Sequence, residues 1–278
     1  MRKNRLFSVM VWIILVLIVG LVMTALMPAS KQAESVRIPI LMYHSLLKDE
    51  ARWNDYVISP DEFERDLIYL TKNGYHTVFI SDLINYVKKG APLPENPVVI
   101  TFDDGNYNGY SYAFELLKKY DCKMVMSPIA SLVQEYSDKE DISPSYGYCN
   151  WTQLREMQES GLVEIQNHSW DMHKASGRIG ISQLSGESNS EYMKTVGADI
   201  EKAQEQIEIN LGTRPRCFTY PFGAYNEQSE LLIKNLGFES SLSCMQTTSE
   251  ITKNDPESLY NLGRFLRDNK HSAQMLLE

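Results

Sequence analysis

A chain of 278 residues with 43% hydrophobic and 10% aromatic content has enough apolar material for one large domain with a substantial core, and no repeat period, low-complexity tract or long Gly/Ser linker divides it. Three of the 27 basic residues and none of the 36 acidic ones lie in the first 27 positions, so the rest of the chain sets 36 acids against 24 bases, a formal −12. An acidic body repels phosphate backbones and anionic membrane surfaces, which argues against nucleic acid as a partner and suits a neutral substrate better than an anionic one.

The first element is different in kind from the others. Arg2, Lys3 and Arg5 precede an almost unbroken apolar run from Leu6 to Met27. About 20 such residues cross a bilayer as a helix, and the basic flank stays in the cytoplasm. A secretory signal has a shorter apolar part, about 7–15 residues, and no clean small-x-small cleavage site stands out near Pro28-Ala29-Ser30. The expectation is a cytoplasmic stub and signal anchor over residues 1–30, with a cleaved signal as the alternative. Residues 31–278 then form one domain outside the cytoplasm, on the membrane or secreted. Disulfides are permitted there. Cys122, Cys149, Cys217 and Cys244 allow three pairings that the sequence does not choose between, and small buried apolar residues are an equally good reading of them.

Beyond the anchor, short β-branched runs alternate with amphipathic ones. Strands are expected at Ile38–Tyr43, Thr77–Ile80, Val98–Phe102, Lys123–Ile129, Leu162–Gln166, Arg216–Tyr220 and Phe238–Ser243, with a weaker one near Leu259–Phe265. Ser59-Pro60-Asp61-Glu62 opens a helix well, with a Ser cap, Pro at the first helical position and acids in the first turn. Phe63, Leu67 and Leu70 follow at helical spacing, and Gly74 ends it. Further helices are expected at Ser81–Lys89, Tyr107–Tyr120, Thr152–Ser160, Ser190–Asn210 and Asn226–Asn235, and a long polar loop at Gly177–Asn189. This alternation predicts an α/β fold, a parallel sheet covered by helices and either open or closed into a barrel. In such folds ligands meet the chain at the C-terminal ends of the strands.

Four chemically rich stretches fall at those ends. The first strand ends in IPILMYHS, delivering His44. The third runs apolar from Val98 to Phe102 and ends in TFDDG. Asp-Gly alone is ordinary turn chemistry, but two adjacent carboxylates at the mouth of a core repel each other unless a cation holds one of them. QNHSWDMHK then places His168 and His173 five apart, which an irregular loop accommodates and a regular helix does not. Two imidazoles, one carboxylate and an open position for water are the usual make-up of a catalytic zinc site. Finally CFTYPFGAY runs a strand into a tight turn bearing aromatics, suited to stacking on a sugar ring and to aiming backbone N–H groups at a ligand.

Taken together and in this order, TFDDG (Thr101–Gly105), the histidine pair and TYPFG resemble the polysaccharide deacetylase family, carbohydrate esterase family four, over about Ile38 to Phe265. The resemblance implies a distorted (β/α) barrel and a metal-dependent deacetylase of an N-acetylglucosamine polymer. By the same resemblance, Asp104, His168 and His173 would hold the metal and Asp103 would be the general base. Tyr220, Pro221, Phe222 and Gly223 would form part of the substrate groove, with the Phe222 N–H as oxyanion donor. The chain departs from the commonest family pattern: the histidine pair has one extra residue, Thr219 stands where an arginine is usual, and a late Leu-x-His is missing. These departures resemble the permuted branch that includes the deacetylases of poly-β-1,6-N-acetylglucosamine. There His44 would be the general acid, and Arg264, in NLGRFL, would take the orienting role of the absent arginine. The ligand set suits Zn2+, with Co2+, Ni2+ or Fe2+ as alternatives. Peptidoglycan is the second polymer. An O-acetyl esterase and a carbohydrate-binding protein on the same fold are the competing functions.

Overall fold

The computed structural model describes Trp12, residues 34–139 and residues 143–278. The expected signal anchor lies outside the described residues, Trp12 apart; among the described residues no helix is long and apolar enough to cross a membrane. Ser35–Glu278 makes one compact unit. Its strands are β1 (Ser35–Ile38), β2 (Ile40–Tyr43), β3 (Ser45–Leu46), β4 (Val57–Ile58), β5 (His76–Thr77), β6 (Pro97–Asp104), β7 (Met124–Pro128), β8 (Val163–Ile165), β9 (Cys217–Thr219), β10 (Ser240–Leu242), β11 (Ser249–Thr252) and β12 (Phe265–Leu266). Its helices are α1 (Pro60–Lys72), α2 (Ile80–Lys89), α3 (Glu115–Tyr120), α4 (Ala130–Ser137), α5 (Trp151–Glu159), α6 (Asn189–Leu211), α7 (Glu227–Asn235) and α8 (Ala273–Leu277).

The apolar run that ends in two aspartates is the centre of the sheet. β6 is buried along seven of its eight residues and is flanked in parallel by β2 and β7. The parallel order β12-β2-β6-β7-β8 follows, and β5 pairs with the start of β6. Two narrow junctions carry the pairing round. Past β8, Asn167 donates to Cys217 O (3.3 Å) and accepts from Thr219 N (2.9 Å), which attaches β9. β9 pairs with β10, and Leu262 bonds both to Ser241 O and from Ser243 N at 2.9 Å, shortly before the chain enters β12. The staves therefore form a ring whose C-terminal ends share one mouth, irregular where single residues make the junction.

Several boundaries differ from expectation for local reasons. The first strand is interrupted at Pro39, which has no N–H for the ladder. β1 turns away and pairs antiparallel with β11, while β2 enters the ring. The expected strand Thr77–Ile80 shortens to β5, because the Asp82 carboxylate accepts from Phe79 N (2.9 Å) and starts α2 at Ile80. The helix expected over Tyr107–Tyr120 opens with a π-helical turn, Gly109–Phe114, before α3. The buried Asn108 side chain pins that turn, accepting from Leu46 N and donating to Ser45 Oγ and Pro144 O. α4 and α8 are eight and five residues long, too short for helical periodicity to stand out in the sequence. All four cysteines are free thiols, three of them buried and Cys244 half-buried, which favours the packing reading over any disulfide.

α1 starts as its sequence dictates, with a reciprocal Ser59/Glu62 capping box, and buries Phe63, Leu67 and Leu70. On the same face it also buries Asp66. That carboxylate accepts from Arg267 Nε (2.6 Å), Tyr43 OH (3.1 Å) and Ala273 N (3.0 Å), joining α1, the end of β2, the segment after β12 and the start of α8. Asp66→Ala leaves buried Arg267 with only the more distant Glu62 carboxylate, 3.7 Å away, and the Asp268 carbonyl, so it should cost about 3 kcal/mol in urea unfolding. A loss below about 1 kcal/mol would show that water compensates the network.

Candidate active site

Three strand ends meet at the mouth of the ring, and each turns through a left-handed residue that is not glycine: Asp104 (φ 68°), Ser169 (φ 73°) and Phe222 (φ 58°). Such residues store roughly 1–3 kcal/mol each, and their strain collects at functional sites. At Asp104 the reason is legible. Successive strand residues point to opposite faces; the left-handed turn breaks that alternation, and both Asp103 and Asp104 line one cleft. Gly105 permits the turn, because a Cβ there would lie 2.6 Å from Pro128 Cβ.

The two carboxylates live in opposite circumstances. Asp103 is buried and clamped by the fully buried Arg264, with Nη1 to Oδ1 at 2.8 Å and Nη2 to Oδ2 at 2.9 Å. Arg264 is itself fixed, donating from Nε to Ser243 O (2.9 Å) and from Nη1 to Thr101 Oγ1 (3.2 Å). Burial alone would raise the Asp103 pKa; the Arg264 charge and its paired hydrogen bonds outweigh that and hold the group well below the usual carboxylate range. Asp104 has no such clamp. Burial pushes its pKa up to about 6, with the Asp103 charge adding to the rise and His44 opposing it.

Both histidines of the pair face Asp104. His168 Nε2 lies 3.6 Å and His173 Nε2 3.4 Å from Asp104 Oδ1. The buried His168 ring is oriented from behind: its Nδ1 lies 2.7 Å from Thr219 O, and since a carbonyl only accepts, Nδ1 carries the proton and Nε2 is left with a free lone pair. Burial lowers the His168 pKa to about 4 and lowers that of His173 as well, so both rings are neutral near pH 7, as metal ligation requires. His173 packs on Phe222, ring centroids 4.2 Å apart. Across the cleft, His44 meets Tyr56 edge-on at 4.9 Å, and its buried Nδ1 has no hydrogen-bond partner. Burial lowers the His44 pKa, while the charges of Asp103 and Asp104 pull it back up.

A divalent cation fits this arrangement. One ligand atom from each of Asp104, His168 and His173 lies within 4.8 Å of the others, and Asp104 Oδ1 is buried with no hydrogen-bond partner. A carboxylate oxygen so placed is costly unless a positive charge completes it.

The cleft, about 570 Å³, brings together His44, Asp103, Asp104, His168, His173 and Phe222, with Arg264 directly behind Asp103. The rest of the TYPFG turn lies elsewhere. Tyr220 is fully buried, stacked on Tyr225 at 5.1 Å, and Pro221 is buried beside it. Gly223 packs on Cys244, where a Cβ would come within 2.6 Å of Cys244 Cβ. Only Phe222, 44% exposed, shows its side chain to the cleft. Tyr56, Cys244 and Gln246 also line it and were not singled out from the sequence, since they lie on segments with no motif of their own. His271 pairs with Asp268 outside the cleft.

A parallel α/β ring with an Asp-His-His cluster at its C-terminal mouth makes a candidate metal centre. More specifically, residues 90–241 match the family model for polysaccharide deacetylases, and the chain belongs to that family. The poly-beta-1,6-N-acetyl-D-glucosamine N-deacetylase of Escherichia coli (strain K12) is 26% identical over 218 residues, covering 72% of this chain and 32% of that protein. The protein of the same name from Staphylococcus aureus (strain MRSA252) is 27% identical over 207 residues, covering 72% and 66%. The chain thus spans about a third of the length of the first relative and just under two thirds of the second. Among solved structures, IcaB from Ammonifex degensii superposes with a TM-score of 0.71 at 25% identity, over 86% of this chain and 95% of that one. A de-N-acetylase from Aggregatibacter actinomycetemcomitans shares the fold, with a TM-score of 0.75 at 24% identity over 87% and 99%.

The Asp103–Arg264 clamp has a pH signature. A folded-state pKa held below the unfolded value, about 3.9, contributes stability that is present above that value and lost as pH falls below it. Arg264→Met removes the clamp. The stability gap between wild type and variant should therefore be largest near pH 7, about 3–5 kcal/mol, and shrink below about pH 4. Denaturant titrations at the two pH values measure it; a gap that widens in acid would contradict the assignment.

Proposed function

We propose that the chain is a metal-dependent N-deacetylase of an N-acetylglucosamine-containing polysaccharide, an exopolysaccharide of the poly-N-acetylglucosamine kind before peptidoglycan. The carrying observation is the pairing of opposites at the end of β6: a carboxylate held ionised by Arg264 beside one that lacks a cation and faces two neutral imidazoles. The names of the relatives favour the polymer. In this reading the apolar run Leu6 to Met27 anchors the domain at the outer face of the membrane, where such polymers are met.

Asp104, His168 and His173 would hold the ion, a set that suits zinc and also admits cobalt, nickel or iron. A bound divalent metal supplies Lewis acidity and brings the pKa of a coordinated water from 15.7 to about 7. The protein's residues do the rest. Asp103, ionised and aimed into the cleft, takes the proton of the attacking water as it adds to the acetamide carbonyl. Arg264 fixes the plane of that carboxylate. The Phe222 N–H serves the developing oxyanion, and the Phe222 ring offers an apolar wall to the sugar. The departing nitrogen needs a proton. His44 faces both carboxylates across the cleft, and because burial weakens its hold on a proton, its protonated form is a strong acid for that step.

Acetate release from β-1,6- and β-1,4-linked N-acetylglucosamine oligomers tests the reaction, with chelator added and then zinc or cobalt restored. Release that chelator stops and metal restores is expected. One bound metal per chain with no release from either oligomer would direct attention to O-acetyl esters or to carbohydrate binding without turnover. Asp103→Asn should lower kcat by about 10²–10⁴ while the metal content stays at the wild-type level; loss of metal would make Asp103 a ligand. His44→Ala should lower kcat by a similar order with metal retained, and full activity in that variant would move the general acid elsewhere.

A further inference from the structure

The two imidazoles come from a loop with no regular structure, so something other than a helix or strand must fix their separation. Four residues lie between His168 and His173, and each of their N–H groups goes to a side chain. Ser169 N donates to Asn167 Oδ1 (2.7 Å) and Met172 N to Ser169 Oγ (3.1 Å), both within the loop. Trp170 N and Asp171 N go outside it, to the two oxygens of one carboxylate: Asp199 Oδ1 at 2.8 Å and Oδ2 at 3.0 Å. Asp199 belongs to α6, whose Lys202 ammonium also covers the Trp170 ring at 3.8 Å. The same helix accepts the Asn167 amide at Ile200 O and Gln204 Oε1. On the other side, the loop carbonyls of Ser169 and Trp170 accept from Ala130 N and Ser131 N at the start of α4.

We propose that Asp199 is a positioning residue that sets the spacing of His168 and His173, by clamping with one carboxylate the two consecutive N–H groups midway between them. The inference rests on the reading of Asp104, His168 and His173 as a metal centre. The chemistry favours a carboxylate here, because only an ionised carboxyl group presents two acceptors side by side to parallel donors. An amide of the same shape accepts once and turns its own N–H₂ toward the second donor. The clamp lies midway along a loop that no regular element supports, so α6 supplies the fixed point that the loop itself lacks.

The test is Asp199→Asn in the full-length chain, read by Zn2+ affinity in a chelator competition, by the visible spectrum of the Co2+-loaded protein, and by the melting temperature of the metal-free protein. Zn2+ affinity should fall about 10–100-fold with an altered Co2+ spectrum, while the metal-free melting temperature moves by less than about 4 °C. Lys202→Ala, which keeps the carboxylate and removes its neighbour on the helix, should bind Zn2+ as the wild type does. Wild-type affinity and spectrum in Asp199→Asn would overturn the inference while leaving the metal centre standing. An equal loss in Lys202→Ala would overturn it too, by assigning the effect to packing of α6. A wild-type chain that binds no divalent ion would bring down the metal-centre reading first and this inference with it.

Discussion

The candidate site depends on keeping one buried carboxylate ionised. Asp103 is enclosed at the end of β6, and an isolated charge there would be neutralised by taking up a proton. Arg264 prevents this with a planar, two-point grip that is fixed in turn by Ser243 O and Thr101 Oγ1. Both partners are buried; Asp103 stands on β6 in the middle of the sheet, and Arg264 N is tied to Met245 O at 2.8 Å. A buried pair of this kind is a poor source of net stability. In the proposed mechanism its presence is the cost of having a defined proton acceptor at a buried position.

The ring topology makes that pair possible. Arg264 follows Leu262, which is stitched to the edge of β10, and precedes β12, which pairs with β2; β2 in turn pairs with β6. The guanidinium therefore reaches Asp103 only if the ring closes through the short segment between β10 and β12. The two single-residue junctions, at Asn167 and Leu262, are where the staves depart from regular pairing; Asn167 directly precedes His168, and Leu262 lies two residues before Arg264. Irregularity at those two points frees backbone to aim side chains into the mouth.

What could be read from the sequence follows how local each cause is. The strand ending in Asp103 and Asp104 was legible because an apolar run delivering two charges has few physical explanations. The α1 cap was legible because a capping box is written in four consecutive residues. His168, His173 and His44 were placed at strand mouths by the same logic. Other features required contacts distant in the sequence. Tyr220 reads as a groove residue by its aromatic character, yet β9 turns it toward Tyr192 and Phe218 in the core. Tyr56 reaches the cleft through the β3–β4 connection, and Asp199 reaches the histidine loop from the middle of a 23-residue helix. Nothing near either residue in the chain announces the destination.

Thr219 and Arg264 divide two tasks at the site. A buried carboxylate needs a cation against it whichever segment supplies the charge, and at Asp103 it comes from Arg264. Here the end of β9 carries Thr219, whose hydroxyl is satisfied by Ser127 Oγ at 2.7 Å and whose carbonyl orients His168. An arginine at that position would lose the Ser127 contact. The cation comes from the segment ahead of β12, and the end of β9 orients His168, a ligand in the proposed metal centre. Two different segments of the ring thus fix the two groups: the Thr219 carbonyl at the end of β9 sets the tautomer of His168, and the Arg264 guanidinium ahead of β12 holds Asp103 ionised.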